Sequence, residues 1–272
     1  MIISKLDDLY KDSIIKRLWF YDETDSTNTR AKEYVYKLNN TDGKEADLPG
    51  LFLSEVQTAG RGRMGRPWKS PAGTGIWMSY LIRPALDPDR IPSITILTSL
   101  AVADSINEYA SDHSITMPEI KIKWPNDIIA GSRKICGILT ELVAPDFVIN
   151  GIGINVNTED FPDELKDKAT SLKLAGSTLW DREELIILVI KRLNSLIREY
   201  EHETSLEFVR EKYNNLLVSI NKEVVISHDT KNIVRISRGI DHTGALLVEA
   251  PDGSISAVSS GEVSVRGIYG YV

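Results

Sequence analysis

The chain has 272 residues, 42% of them apolar and 26% charged, and its 32 basic side chains against 39 acidic ones leave a net charge of −7. That size and balance suit one large soluble domain, or a large and a small one, and exclude a disordered, collagenous or coiled-coil chain. An acidic surplus also excludes coating nucleic acid by bulk charge, since neutralising phosphates takes excess Lys and Arg, although a local basic patch stays open. The single Cys excludes an internal disulfide and a multi-Cys zinc site and suits a reducing compartment. Apolar runs fall short of the ~18–20 residues of a membrane span, and residues 1–10 lack a signal-peptide core, so the cytoplasm is the expected location.

In chain order, residues 18–21 read as a short strand. Asp25-Ser26-Thr27-Asn28 follow, each able to cap a helix, and Ala31, Tyr34, Val35 and Leu38 continue at helical spacing. Residues 39–50 read as a loop and 51–56 as a buried strand. Residues 57–75 hold Gly60, Gly62, Gly65, Gly73 and Gly75 with Pro67 and Pro71, a composition in which neither helix nor strand is expected. A loop of that length is commonly functional or disordered. Residues 76–83 alternate as a strand, and Pro92 stands where a helix covering 94–109 would start. A strand at 120–124 is stopped by Pro125, Asn126-Asp127 turn the chain, and strands at 128–130 and 135–143 flank a turn at Gly131-Ser132. Residues 147–156 read as another strand, 183–200 as an amphipathic helix and 206–217 as one more. Beyond Leu217, β-rich runs at 224–227, 234–240, 245–250 and 254–258 alternate with turns at His242-Thr243-Gly244 and Pro251-Asp252-Gly253. The expected architecture is an α+β domain over residues 1–217, without strict β-α alternation, and a small barrel-like β domain over 218–272.

The most unusual stretch is Gly60-Arg61-Gly62-Arg63-Met64-Gly65-Arg66-Pro67-Trp68-Lys69, four basic residues within nine positions of an acidic chain. Glycines let backbone N–H groups turn inward around an anion, and arginines bring forked donors that match phosphate or carboxylate. The stretch reads as a phosphate clamp or as a solvated basic loop. Gly60, Gly62 and Gly65 also satisfy the dinucleotide pattern G-x-G-x-x-G, but Pro67, Pro71 and Gly73 follow where a helix should open, and residues 76–86 lack the acidic ribose partner. Nicotinamide chemistry is therefore not expected.

Lys123-Trp124-Pro125-Asn126-Asp127 closes an apolar strand, so Lys123 reads either as a rigid cation beside an acyl phosphate or as a strand-end lysine in solvent. Ser26-Thr27-Asn28 reads as a helix cap or as a set of small groups that hydrogen-bond a compact polar ligand. Gly151 and Gly153 lie inside a strand, where glycine marks a bulge or the close approach of a ligand or backbone. Cys136 sits among apolar neighbours and reads as an inert core thiol. The four histidines show no metal-ligand spacing.

Ser26-Thr27-Asn28, the segment from Gln57 to Trp68, Lys123 to Asp127, Lys134 to Glu141 and Gly151 to Asn155 come in an order that resembles the biotin–protein ligases, also called biotin–[acetyl-CoA-carboxylase] ligases or holocarboxylase synthetases. The likeness is close over residues 18–160, and Ser260-Gly261-Glu262-Val263-Ser264-Val265-Arg266-Gly267 resembles the last strands of that family's SH3-like domain. It implies a mixed sheet with flanking helices, like a class II synthetase, plus a small SH3-like barrel. It also implies a two-step reaction, in which biotin and ATP give biotinyl-5′-AMP and the adenylate acylates a lysine of a biotin carboxyl carrier domain. The roles it implies are biotin contacts from Ser26, Thr27, Asn28, Gln57, Gly151 and Gly153. Arg61, Gly62 and Arg63 would cover biotin and the adenylate phosphate. Lys123 would stand beside the biotin carboxylate and the α-phosphate, and Trp68 and Asn155 near the nucleotide. Mg²⁺ is expected to accompany ATP. Only 25 residues precede Ser26, so a monofunctional ligase without a DNA-binding domain is expected, binding neither DNA nor membrane; the family includes homodimers. A lipoate–protein ligase is the nearest alternative, and a non-catalytic module gripping RNA or another anion a more distant one.

Overall fold

The structure is a computed structural model that describes residues 3–39, 47–228, 231–259 and 264–267. Strands β1 (Arg17–Thr24), β2 (Gly50–Gln57), β3 (Gly75–Ile82), β4 (Ile120–Lys123), β5 (Asp127–Ala130), β6 (Arg133–Val143) and β7 (Phe147–Asn155) form one sheet in the order β1-β2-β3-β7-β6-β5-β4. β1 and β2 run parallel and every other neighbouring pair is antiparallel. β3 is buried at every position, as its sequence Gly-Ile-Trp-Met-Ser-Tyr-Leu-Ile requires of a strand covered on both faces.

One face packs against two long helices, which with a short α1 (Asp7–Lys11) and α2 (Thr27–Asn39) are numbered α3 (Ser93–Asp112) and α5 (Arg182–His202), with α4 (Leu172–Gly176) and α6 (Glu207–Leu216) beside them. α3 is buried along most of its length, its small polar Ser93, Thr98, Ser99 and Ser105 included, and Pro92 stands at its N-cap. α5 buries Leu185, Val189, Leu193, Ile197 and Tyr200 along one stripe. It starts at Asp181, whose carboxylate accepts from the Glu183 and Glu184 N–H groups at 3.0 and 3.2 Å. On the other face α2 packs Ala31 and Val35 against Phe52, Leu81 and Ile149 and Tyr34 against Trp19, covering mainly the β1, β2, β3 and β7 part of the sheet. Past the N-terminus of α2 the sheet face is left open over β6 and β7, and there the strands carry glycine.

β8 (Glu223–His228), β9 (Lys231–Ile240), β10 (Leu246–Glu249), β11 (Ile255–Val258) and β12 (Ser264–Gly267) form a second, antiparallel sheet in the order β11-β10-β9-β8-β12. It is joined to the larger part: Ile240, Leu246 and Val248 belong to the main apolar core, and Trp124 Nε1 donates to Gly244 O at 3.0 Å. Of the C-terminal motif, Ser260 to Val263 lie outside the described residues, and Ser264 to Gly267 form β12.

Every strand and long helix expected from the sequence is present, with ends shifted by a few residues. α1 and α4 were not expected, because five residues are too few to display a helical period. Between Gln57 and Gly75 the backbone holds one short 3-10 turn, Arg63–Gly65, and isolated bridges from Gln57 to Ser70 and Arg61 to Pro67.

Candidate active site

The open part of the sheet floors a cleft that, open solvent included, spans about 460 Å³. Gly153 on β7 pairs with Gly137 on β6, and Gly151 pairs with Leu139. A methyl group at Gly151 would strike the Asn28 amide, and one at Gly153 would lie 2.7 Å from Trp68 Nε1. β7 pairs without a register shift on both sides, so these glycines mark close approach and not a bulge.

The wall of the cleft is polar. Ser26, Thr27 and Asn28 are all buried where α2 begins. The backbone N–H of Ser26 is satisfied by Asp25 Oδ1 at 2.6 Å, and Ser26, Thr27 and Asn28 all line the cleft. Gln57 ends β2 and is brought alongside by the parallel pairing of Thr24 with Gln57. Its Oε1 accepts from Thr27 N–H at 2.9 Å, and its Nε2 donates to Ser70 Oγ at 3.0 Å. Asn28 Nδ2 donates to Glu141 Oε2 at 2.8 Å, and Asn28 Oδ1 accepts from Ser79 Oγ at 2.5 Å.

The basic loop forms the lid side. Gly62 N–H donates to Arg66 O and Trp68 N–H to Gly60 O, both at 2.8 Å, folding the loop back on itself. Arg61 Nη2 reaches Thr29 Oγ1 at 2.9 Å, and Arg63 Nη1 reaches Asn126 Oδ1 at 3.1 Å. Burial lowers the Arg63 guanidinium from its usual range, the Asp127 carboxylate partly opposes this, and Arg66 adds to it. A cation so placed gains from an anion beside it. The Trp68 ring lies across Gly137 and Gly153, and its buried indole N–H has no hydrogen-bond partner among the described residues, a donor available to a ligand.

Ser26, Thr27, Asn28, Gln57, Arg61, Gly62, Arg63, Trp68, Gly151 and Gly153 therefore meet in one cleft, but Lys123 and Asn155 do not line it. Lys123 ends β4 opposite Asp127, three strand spacings or roughly 14 Å from β7. Asn155 donates to Thr170 O at 3.1 Å. The lysine of the cleft is Lys134 on β6. Its Nζ lies 2.6 Å from Asp127 Oδ1 and 5.2 Å over the Trp68 ring, close above Gly137. Strict alternation would put residues 134 and 137 on opposite faces. A register shift corrects this: Ile128 pairs with Cys136 but Ile129 with Lys134, so Ile135 is an extra residue and both Ile135 and Cys136 are buried. Lys134, Asn126 and Glu141 stood in segments that carried the resemblance but were given no role at the site, and Ser79 was not singled out. The available signal was the glycine three residues past Lys134, which leaves room for an ammonium. Cys136 is a core thiol, pushed up by burial.

Residues 20–157 match the Biotin/lipoate A/B protein ligase family and residues 219–266 the Biotin protein ligase C terminal domain. The chain belongs to the biotin protein ligases of that family. The Bifunctional ligase/repressor BirA of Bacillus subtilis is 36% identical over 258 residues, 92% of this chain and 74% of the relative. The Biotin–[acetyl-CoA-carboxylase] ligase of Mycobacterium tuberculosis is 32% identical over 220 residues, 80% of each chain. The biotin protein ligase of Aquifex aeolicus, solved in complex with biotin and ATP, matches with a TM-score of 0.79 at 29% identity over 93% of this chain and 99% of that one. The expected fold class, a mixed sheet with flanking helices and a small β domain, is borne out.

Proposed function

We propose that the protein activates biotin with ATP and transfers it to a lysine of a biotin carboxyl carrier domain. In the first step a biotin carboxylate oxygen attacks the α-phosphorus and pyrophosphate leaves. In the second the lysine amine attacks the acyl carbon of biotinyl-5′-AMP, AMP leaves, and the amine gives up a proton. The observation that carries this reading is the convergence of Arg61, Arg63 and Lys134 over a glycine floor beside a polar wall. Two anions repel each other, and three cations in one cleft offset that repulsion and hold the reacting atoms together. The apolar part of the cleft, Met78, Ile138, Leu139 and Ile152, suits the hydrocarbon of biotin, and the wall suits its cyclic urea.

Lys134 takes the role first given to Lys123: a cation held by the floor, beside the biotin carboxylate and the α-phosphate. Arg61, Gly62 and Arg63 close over the phosphate, and the Trp68 ring and N–H face the nucleotide side. The mixed anhydride hydrolyses readily in water, which gives the loop a reason to close. Mg²⁺ enters with ATP; no group of three or more His, Cys, Asp or Glu gathers among the described residues, which fits an ion held mainly by phosphates and water.

Residues 1–217 carry this chemistry in the proposal, and 218–272 form the small domain. The carrier belongs to a biotin-dependent carboxylase, as the name of the mycobacterial relative suggests. The net charge of −7 supports a reading without DNA binding, and no described helix is long and apolar enough to cross a membrane. A cytoplasmic location and a homodimer complete the proposal. The test is biotin-dependent ATP–pyrophosphate exchange with wild type, Lys134→Ala and Lys123→Ala. Exchange lost in Lys134→Ala and kept in Lys123→Ala supports the reading; the reverse pattern returns the role to Lys123. Exchange driven by lipoate and not by biotin replaces the substrate.

A further inference from the structure

Glu141 lies on β6 two residues beyond Leu139 and takes no part in the chemistry above. Its carboxylate accepts twice, from Lys32 Nζ at 2.6 Å on Oε1 and from Asn28 Nδ2 at 2.8 Å on Oε2. On the far side of the Asn28 amide stands Ser79 Oγ, 2.5 Å from Asn28 Oδ1, and Ser79 Oγ is in turn 2.7 Å from Thr27 Oγ1. Thr27, Asn28 and Ser79 are all buried.

A carboxylate has no proton to give and an amide has one donating and one accepting end, so the direction of this row is determined. The end of Asn28 that faces Glu141 must be its NH₂, and the end that faces Ser79 must be its oxygen. Ser79 has one proton, which Asn28 claims. The Thr27–Ser79 contact then holds only with Thr27 as donor. Protons run from Ser79 to Asn28 to Glu141, the Thr27 hydroxyl has Ser79 Oγ at 2.7 Å and Gln57 Oε1 at 3.2 Å as acceptors for its one proton, and in either case Thr27 keeps a lone pair for the cleft. Asn28 Oδ1 likewise has acceptor capacity left, while both its N–H groups are directed to Glu141 Oε2 and Leu139 O.

We infer that Glu141 is a positioning residue that makes this wall an acceptor of hydrogen bonds and so selects a ligand head group with N–H donors. The inference rests on the biotin reading and sharpens it. A cyclic urea offers two N–H groups, whereas the dithiolane of lipoate offers none, and an acceptor wall facing it would be left buried and unpaired.

Glu141→Gln tests this because Lys32 stays in place. The ammonium holds the new amide oxygen, the new NH₂ faces Asn28, and Asn28 must turn over, reversing the row. The double variant Lys32→Met/Glu141→Gln frees the amide to accept again. In biotin-dependent pyrophosphate exchange, E141Q raises the KM for biotin by about tenfold or more, with kcat and the KM for ATP within about twofold. The double variant recovers most of the loss. Discrimination between biotin and a biotin methylated on its ureido nitrogens, read as the ratio of KM to inhibition constant, shrinks in E141Q by about the same factor. An unchanged biotin KM in a folded E141Q overturns the inference. So does an equal loss for biotin and the methylated analogue, or a double variant no better than E141Q. Calorimetric titration with biotin runs alongside: wild type that binds biotin without exchanging pyrophosphate sinks the activity reading alone and leaves the affinities to judge Glu141. Wild type that does not bind biotin overturns both.

Discussion

The floor and the lid of the cleft are built from opposite materials. The floor is the pairing of β3, β7 and β6, where neighbours on both sides hold each residue and the polar wall is buried. The lid, from Arg61 to Trp68, folds back on itself through backbone bonds, reaches Thr29 and Asn126 through its arginines and lays Trp68 on the floor, while its tip, Met64, is 82% exposed. Ordering a glycine-rich loop costs roughly 1–2 kcal/mol per residue in backbone entropy, so a ligand that bridges lid and floor decides how firmly the lid closes. Preorganised donors and acceptors belong on the floor, and water exclusion belongs to the lid. The position of the lysine follows the same division: Lys134 stands on the floor, held by the sheet.

The comparison breaks most sharply at Lys134. Its change to Ala is expected to cost about 10³-fold or more in pyrophosphate exchange, ~4 kcal/mol of barrier, while Lys123→Ala stays within about tenfold. A loss at Lys134 of under tenfold would mean the floor does not supply the reacting cation. Next comes the floor itself. Gly151→Val drives a branched side chain into the Asn28 amide and is expected to raise the biotin KM by about 10²-fold, whereas a rise under threefold would show the floor yielding.

The lid is expected to answer differently. Arg63→Ala slows exchange by about tenfold and lets biotinyl-5′-AMP escape, measured as free adenylate in the absence of carrier. Amide hydrogen exchange over residues 60–70 slows when biotin and ATP are added, while β7 is unaffected. Equal protection with and without ligands would end the gating idea.

The smallest effect concerns Glu55 near the end of β2, which holds the chain at Gly73 just before it re-enters the sheet. Glu55 accepts from Gly73 N–H at 3.1 Å and from Arg182 Nη1 at 3.0 Å. Burial raises its carboxyl, but its hydrogen-bonded cationic partners, Arg182 first among them, outweigh this and bring it from an ordinary 4.5 down to about 2. A depressed folded value means stability that is complete above 4.5 and drains away as the pH falls toward 2. Thermal melts of Glu55→Gln are therefore expected to show a shallower acid slope over that window than wild type. Parallel slopes would show that the Glu55–Arg182 pair does not set the acid stability.

Much of this was legible in the residues. The strands announced themselves because a half-buried or fully buried strand must alternate or run apolar, as 147–156 and 76–83 do. The lid was legible because no regular element tolerates its glycines and prolines. Ser26-Thr27-Asn28 was ambiguous, since the same small polar residues serve as caps and as ligand contacts, and only the arrival of Gln57, Ser79 and Glu141 from β2, β3 and β6 decided the matter.

What the chain determines alone is local: which stretches can be strand or helix, which loop must stay irregular, and which glycines need room. What tertiary structure decided is which side chain ends up where. One extra residue on β6 turned Lys134 over Gly137, and the order of the strands carried Lys123 to the far edge. Period and composition are properties of neighbours along the chain, whereas a site is a property of neighbours across it. Register, bulge and strand order set those neighbours, and each depends on how the whole sheet packs.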